Sequence, residues 1–179
     1  MCRVNKVNPN DIAKWFWNKG IIENPNSKEG NMKIQKLLFF AQLIYMAENN
    51  GNTMFDEEFK AFKDGVVLEN VMNNYWKKYT KMFNNSSFEN LILDSKIEET
   101  LEKTLNIFGD ASAQELSELS HEFDAWKQFF SKSKIFGKYD KKLSVIPYSE
   151  LKKELYRIDK VLKAYELSKM YDNSEIEDY

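Results

Sequence analysis

Between Asn31 and Met46 the chain reads Asn-Met-Lys-Ile-Gln-Lys-Leu-Leu-Phe-Phe-Ala-Gln-Leu-Ile-Tyr-Met, and no other stretch restricts the fold as much. Ile34, Leu37, Leu38, Ala41, Ile44 and Tyr45 follow the i, i+3, i+4, i+7 spacing of a helix, and Phe39, Phe40, Leu43 and Met46 widen the apolar surface beyond one stripe. A helix apolar on most of its circumference needs neighbours on several sides, so this segment is expected at the centre of a helical domain, with Asn49-Asn50-Gly51 as its stop. With 179 residues, 42% of them apolar, the chain can fill one core and hardly two. Six glycines and three prolines favour long helices over many turns. The expectation is a mainly α, single compact multi-helix domain over residues 1–171, with a short extended or hairpin element, followed by an acidic flexible tail at 172–179.

The flanking segments carry their own signals. Asn8-Pro9 caps a short helix running to about Lys19, with Gly20 as its stop, and residues 23–30 read as a loop. Phe55, Phe59 and Phe62 fit helical spacing, yet Phe59, Ala61 and Lys63 also alternate against their neighbours, so 53–64 is open between helix and strand. Gly65 ends that segment, and Val66 to Tyr79 is expected to resume a helix, followed by a loop over 80–90. Ser95 is the expected cap of a helix carrying Ile97, Leu101, Leu105 and Phe108 and closed by Gly109; Ser112-Ala-Gln-Glu115 fits the capping box. Asp124 to Phe130 reads as another short helix, and 131–146 as a Lys-rich connection in which Val145 and Ile146 could be extended. A last helix begins near Pro147 or Ser149, with Leu151, Leu155, Ile158, Leu162 and Tyr165 forming either a core face or a modest partner surface.

Charge and cysteine use exclude several functions. The formal charge is −2, and all the basic residues but Arg3 and Arg157 are lysines, so the planar forks that read guanines and phosphates are nearly absent and nucleic acid is a disfavoured partner. Cys2 alone cannot form an internal disulfide, and with His121 as the one histidine no structural zinc site follows. No apolar run approaches the roughly 20 residues that span a bilayer, and no secretory signal precedes Pro9, so a soluble, reducing, cytoplasmic setting is expected. Along the chain the charge segregates: residues 94–124 carry nine acidic and two basic side chains, residues 132–163 ten basic and four acidic. The two runs either neutralise each other, face water or steer a charged partner.

Catalytic patterns are missing. His121-Glu122 lacks the second histidine of a metalloprotease helix, because position 125 is Ala. No serine sits in a Gly-x-Ser-x-Gly turn, and Glu57-Glu58 and Glu98-Glu99 are adjacent residues that do not face each other on a helix. No cofactor and no metal is expected.

Three blocks resemble a known family. Asn31-Met-Lys-Ile-Gln-Lys-Leu-Leu-Phe-Phe-Ala-Gln42 is similar to the Lys-Leu-Gln-Lys-Leu-Leu-Tyr-Tyr-Ala-Gln helix of the Panacea antitoxin domain, also called SocA-like or phage-associated GepA-like. Met54 to Val67 is similar to its segment ending in Trp-x-x-Gly-Pro-Val, with Phe62 in place of Trp and Val66 in place of Pro. Ser112-Ala-Gln-Glu-Leu-Ser-Glu-Leu-Ser-His121-Glu-Phe-Asp-Ala-Trp126 resembles its Ser-Ala-x-Glu-Leu-Ser-x-x-Thr-His followed by Pro-Trp, with Ser120 for Thr and Ala125 for Pro. The resemblance runs over roughly 8–170.

The resemblance implies a helical, non-enzymatic antitoxin that neutralises a cognate protein toxin by direct binding; one branch of the family delivers its toxin to a protease. A proteolytic adaptor or phage-associated regulatory protein is the alternative, and a hydrolase centred on His121 a remoter one. Gln35, Lys36, Lys63, Gly65, His121 and Trp126 match the motifs, as partner-binding or as structural residues. On the structural reading His121 satisfies buried backbone groups and Trp126 belongs to the core.

Overall fold

The computed structural model describes residues 6–22, 27–75 and 93–174, with side chains to residue 169. The expected loop at 80–90 and the last residues of the tail lie outside them. Helix α1 (Pro9–Asn18) starts where the Asn8 side chain accepts the Asn10 amide at 2.9 Å. Helix α2 (Lys28–Glu48) follows, buried without interruption from Ile34 to Met46. Strands β1 (Phe59–Phe62) and β2 (Gly65–Val67) form a hairpin, and helix α3 (Glu69–Asn74) leads out of it. Helices α4 (Ser95–Phe108), α5 (Ala113–His121) and α6 (Asp124–Ser133) come next. A small hairpin of β3 (Lys134–Ile135) and β4 (Lys138–Tyr139), strand β5 (Val145–Ile146), and helices α7 (Tyr148–Lys153) and α8 (Leu155–Ser174) complete the described chain.

The mainly α expectation holds, and α2 is its axis. Helices α1, α4, α5 and α8 and strand β2 pack around it, which is why its apolar residues occupy nearly every side. Phe39 meets Phe59 and Phe123 edge-on, each with ring centroids 5.3 Å apart, and Phe40 lies 4.6 Å from Phe108. Each such buried ring contributes roughly 1.5–3 kcal/mol over leaving it exposed. Antiparallel pairing in the order β2-β1-β5 sets Ala61 opposite Val66 and Phe59 opposite Ile146.

Several boundaries differ from expectation, each for a local reason. Helix α2 begins at Lys28, inside the expected 23–30 loop, because Ser27 Oγ accepts the Gly30 amide at 3.0 Å. The 53–64 segment resolves as β1: its alternation wins because β5 and β2 pair on both its sides. Val66 and Val67 are strand, not helix, since they form the returning arm of that hairpin; α3 starts at Glu69, and Trp76 to Tyr79 lie outside the described residues. Asp94, not Ser95, caps α4, accepting the Lys96 amide at 3.0 Å. Residues 134–139 are a hairpin rather than a plain connection.

The C-terminal helix divides in two. Its break falls at Glu154, whose buried carboxylate accepts the Asp124 amide at 2.7 Å and the Ala125 amide at 2.6 Å. Helix α6 has no cap from its own preceding residue, so a side chain 30 positions away supplies it. The backbone of α8 continues through Asp172 to Ser174, the start of the segment expected as tail.

Candidate functional site

The motif residues converge on one object, the β1–β2 hairpin. Ala61 turns its backbone toward β5 and β4: its amide donates to the Ser144 carbonyl, and its carbonyl accepts from the Tyr139 hydroxyl. In an antiparallel pair the residue opposite, Val66, must then point its own carbonyl away from the sheet. Lys36 fills that position from α2, with Nζ donating to the Val66 carbonyl at 3.0 Å. One step along, Gln35 accepts the Leu68 amide at 2.7 Å and donates to the Leu68 carbonyl at 3.3 Å.

Helices α5 and α6 hold the remaining exits. Ser117 Oγ donates to the Asp64 carbonyl at 2.8 Å, and Trp126 Nε1 donates to the Phe62 carbonyl at 2.9 Å. The carbonyls of Phe62, Asp64, Val66 and Leu68 are thus each taken by a side chain from a surrounding helix. An outer strand otherwise offers a row of unpaired groups, and burying them unpaired would cost roughly 1–3 kcal/mol apiece.

Gly65 sits where this clamp is tightest. Its φ of +101° is in the region that favours glycine, and a Cβ there would lie 2.5 Å from Ser120 Oγ and 2.7 Å from Lys36 Cε. Lys63 is exposed in the turn, apart from the cluster; Asp64 beside it pairs with Lys28 at 2.8 Å. That hydrogen bond to Lys28 holds the Asp64 carboxyl below its ordinary range.

The electrostatics follow from burial. Desolvation pushes the Lys36 amine down to about 7, against a smaller upward pull from Asp64. His121 is pushed down by desolvation and then by Lys36. Its ring stacks on Trp126 with centroids 3.8 Å apart, and Trp126 stacks in turn on Phe130 at 5.1 Å. Nε2 of His121 is buried with no hydrogen-bond partner, so the expectation that His121 satisfies buried backbone groups is corrected: it contributes a ring face instead. Trp126 is half-buried and packs against the core, as the structural reading holds.

A near-neutral buried amine can serve as a nucleophile when a substrate reaches it. Here Lys36 is 1% exposed and its nitrogen is bound to a backbone carbonyl. A cavity of about 680 Å³ opens beside Asp64, between the first turns of α2 and α5, but Gln35, Lys36, Gly65, His121 and Trp126 do not line it. Among the described residues no group of three or more His, Cys, Asp or Glu side chains is placed to hold a metal ion, and no helix is long and apolar enough to cross a membrane.

Three participants escaped the sequence reading. Gln42 repeats the Gln35 device one heptad later, accepting the Met54 amide at 2.9 Å and donating to the Phe55 carbonyl and the Tyr148 hydroxyl. Its signal is in the sequence: a polar residue at i+7 from Gln35, within a stretch from Leu37 to Ala47 that is otherwise apolar. Ser117 and Ser120 carried no signal of their own beyond the third block.

The two charged runs barely touch. Among the described residues Arg157 to Asp124, at 3.1 Å, is the one ion pair joining them.

Residues 34–127 match the family described as Antitoxin SocA-like, Panacea domain. That span encloses the second and third blocks and all but the first three residues of the first. No curated protein matches the chain, and no solved structure does. With more than half of its length covered, and with the residues of all three blocks joined at one hairpin, the chain belongs to the SocA-like Panacea antitoxin-domain family.

Proposed function

We propose that this protein is an antitoxin that neutralises a cognate protein toxin by direct binding, and that it performs no catalysis of its own. The family match carries the reading. The inward orientation of the motif residues supports it. Lys36 and Gln35 are spent on backbone groups of β2 and Leu68, and His121 lies stacked on Trp126 with a buried Nε2, so these groups serve the scaffold rather than a substrate. What remains for a partner is the outer surface, which carries the acidic face of α4 and the lysines of the β3–β4 region.

The test is co-expression with the product of the adjacent open reading frame. That product alone should arrest growth, and this chain should restore it. Restoration by a Lys36→Met or His121→Gln variant that still folds is expected as well. A neighbour that is harmless by itself removes the reading's support.

A further inference from the structure

The Lys-rich stretch after α6 holds a residue that is unfavourable both in its backbone and in its exposure. In the β3–β4 hairpin Ile135 pairs with Lys138, which leaves Phe136 and Gly137 as a two-residue turn. Both have positive φ, +47° and +76°, the signature of a type I′ turn. Asn is the residue suited to the first of these positions, because a bulky side chain in the left-handed region is strained. Phe136 stands there instead and is 99% exposed. It therefore gains neither a relaxed backbone nor burial against the described residues.

The base of the hairpin is fixed while its tip projects. Tyr139 donates to the Ala61 carbonyl and packs edge-on against Phe62 at 5.4 Å, the Asp140 amide donates to the Ser133 carbonyl at 2.8 Å, and Lys134 lies 4.1 Å over the Phe130 ring. Ile135 precedes the tip and is 42% exposed. Lys132, Lys134, Lys138, Lys141 and Lys142 lie within six residues of Phe136 along the chain, where Asp140 is the one acidic residue; Lys141 is paired across space with Glu69 at 2.5 Å, which leaves the other four as the local positive charge. An exposed aromatic at the tip of a hairpin whose base is anchored, with lysines on both sides of it along the chain, has the form of an interface anchor.

We propose that this hairpin is the element that docks on the protein partner, with Phe136 entering an apolar pocket whose rim carries carboxylates. The proposal rests on the antitoxin reading and names the surface that reading leaves open. Charge complementarity selects the partner's chemistry: Lys132, Lys134, Lys138 and Lys142 call for an acidic rim, and the absence of arginine on the hairpin weighs against nucleic acid. The acidic groove of α4, lined by Glu98, Glu99, Glu102 and Glu166, makes a second copy the competing occupant, through a head-to-tail contact that would build a ring or a filament rather than a two-fold dimer.

The experiment uses the full chain and the product of the adjacent open reading frame. Phe136→Asn supplies the residue the turn prefers, so its melting temperature should equal or exceed that of the parent while its affinity falls by at least about 30-fold, the loss typical of a central interface aromatic. A paired Lys134→Glu/Lys138→Glu variant should slow association and lessen its salt dependence. Phe136→Asn binding with parental affinity overturns the hairpin proposal and leaves the antitoxin reading standing; a parent chain that does not bind the neighbour's product overturns both. Unchanged binding together with loss of self-association in sedimentation, or loss of binding to vesicles containing anionic lipid, overturns it in favour of a second copy or a membrane.

Discussion

Lys36 donates from a fully buried Nζ to the carbonyl of Val66, the residue whose backbone faces outward from the sheet. That bond ties the central helix to the outer strand, and it places an amine where water cannot reach it. A motif lysine that the sequence leaves open between partner contact and structure is therefore tied into the framework.

Protonation of that amine ties stability to pH. Its ordinary value is 10.5 and burial lowers it to about 7, so between those values the unfolded chain holds a proton that the folded chain has released. Stability from this group is fully present above 10.5 and is lost as pH falls to about 7, a slope of up to about 1.4 kcal/mol per pH unit. His121, also lowered, adds a change of the same sign below its ordinary 6.5. Denaturant unfolding at pH 7, 8 and 9 should show the rise in the parent and not in Lys36→Met; equal slopes would contradict the assignment.

Gly65→Ala combines an unsuitable backbone region with contacts of 2.5–2.8 Å to Ser120 and Lys36. The expected loss is about 3 kcal/mol or more, since strain and overpacking each cost roughly 1–3 kcal/mol. Gly20→Ala, with a comparable φ and nothing within 4 Å of the added atom, is the control and should cost less. Equal thermal shifts for the two would argue against the clamp.

Gln42→Leu keeps the volume near that of the parent but leaves the Met54 amide and the Phe55 carbonyl unpaired. Roughly 2–4 kcal/mol should be lost, because a buried group deprived of its partner costs about 1–3 kcal/mol. Accelerated hydrogen exchange at the Met54 amide reports it directly.

Glu154→Ala removes the cap of α6 and a partner of Arg157 at 3.2 Å. A loss of roughly 1–3 kcal/mol is expected. Exchange should rise first in the amides of Asp124 and Ala125; protection unchanged there would show that the helix holds its own end.

The central helix, the Asn8 cap, the Ser112–Glu115 capping box and the tilt toward helices were legible because each depends on residues within one or two turns of one another. Val66 and Val67 were not, since their pairing with Ala61 and Lys60 is set by the fold around them, not by local periodicity. Glu154 illustrates the same limit: its place between α7 and α8 said nothing of an uncapped helix end 30 residues earlier. The motif identified Gln35, Lys36, Gly65, His121 and Trp126 as a group, while the hairpin edge that Gln35, Lys36 and Trp126 hold, with Gly65 in it and His121 stacked behind Trp126, emerged only from the tertiary contacts. Phe136 stayed hidden because a lone aromatic among lysines has no periodicity to betray it.

The central claim is that this protein acts by forming a complex. Calorimetric titration of the full chain into the purified product of the adjacent open reading frame tests it most directly. A saturable complex of fixed stoichiometry is predicted, at the ratio at which the neighbour's toxicity is extinguished. Rescue of growth with no complex detectable in the titration would contradict it.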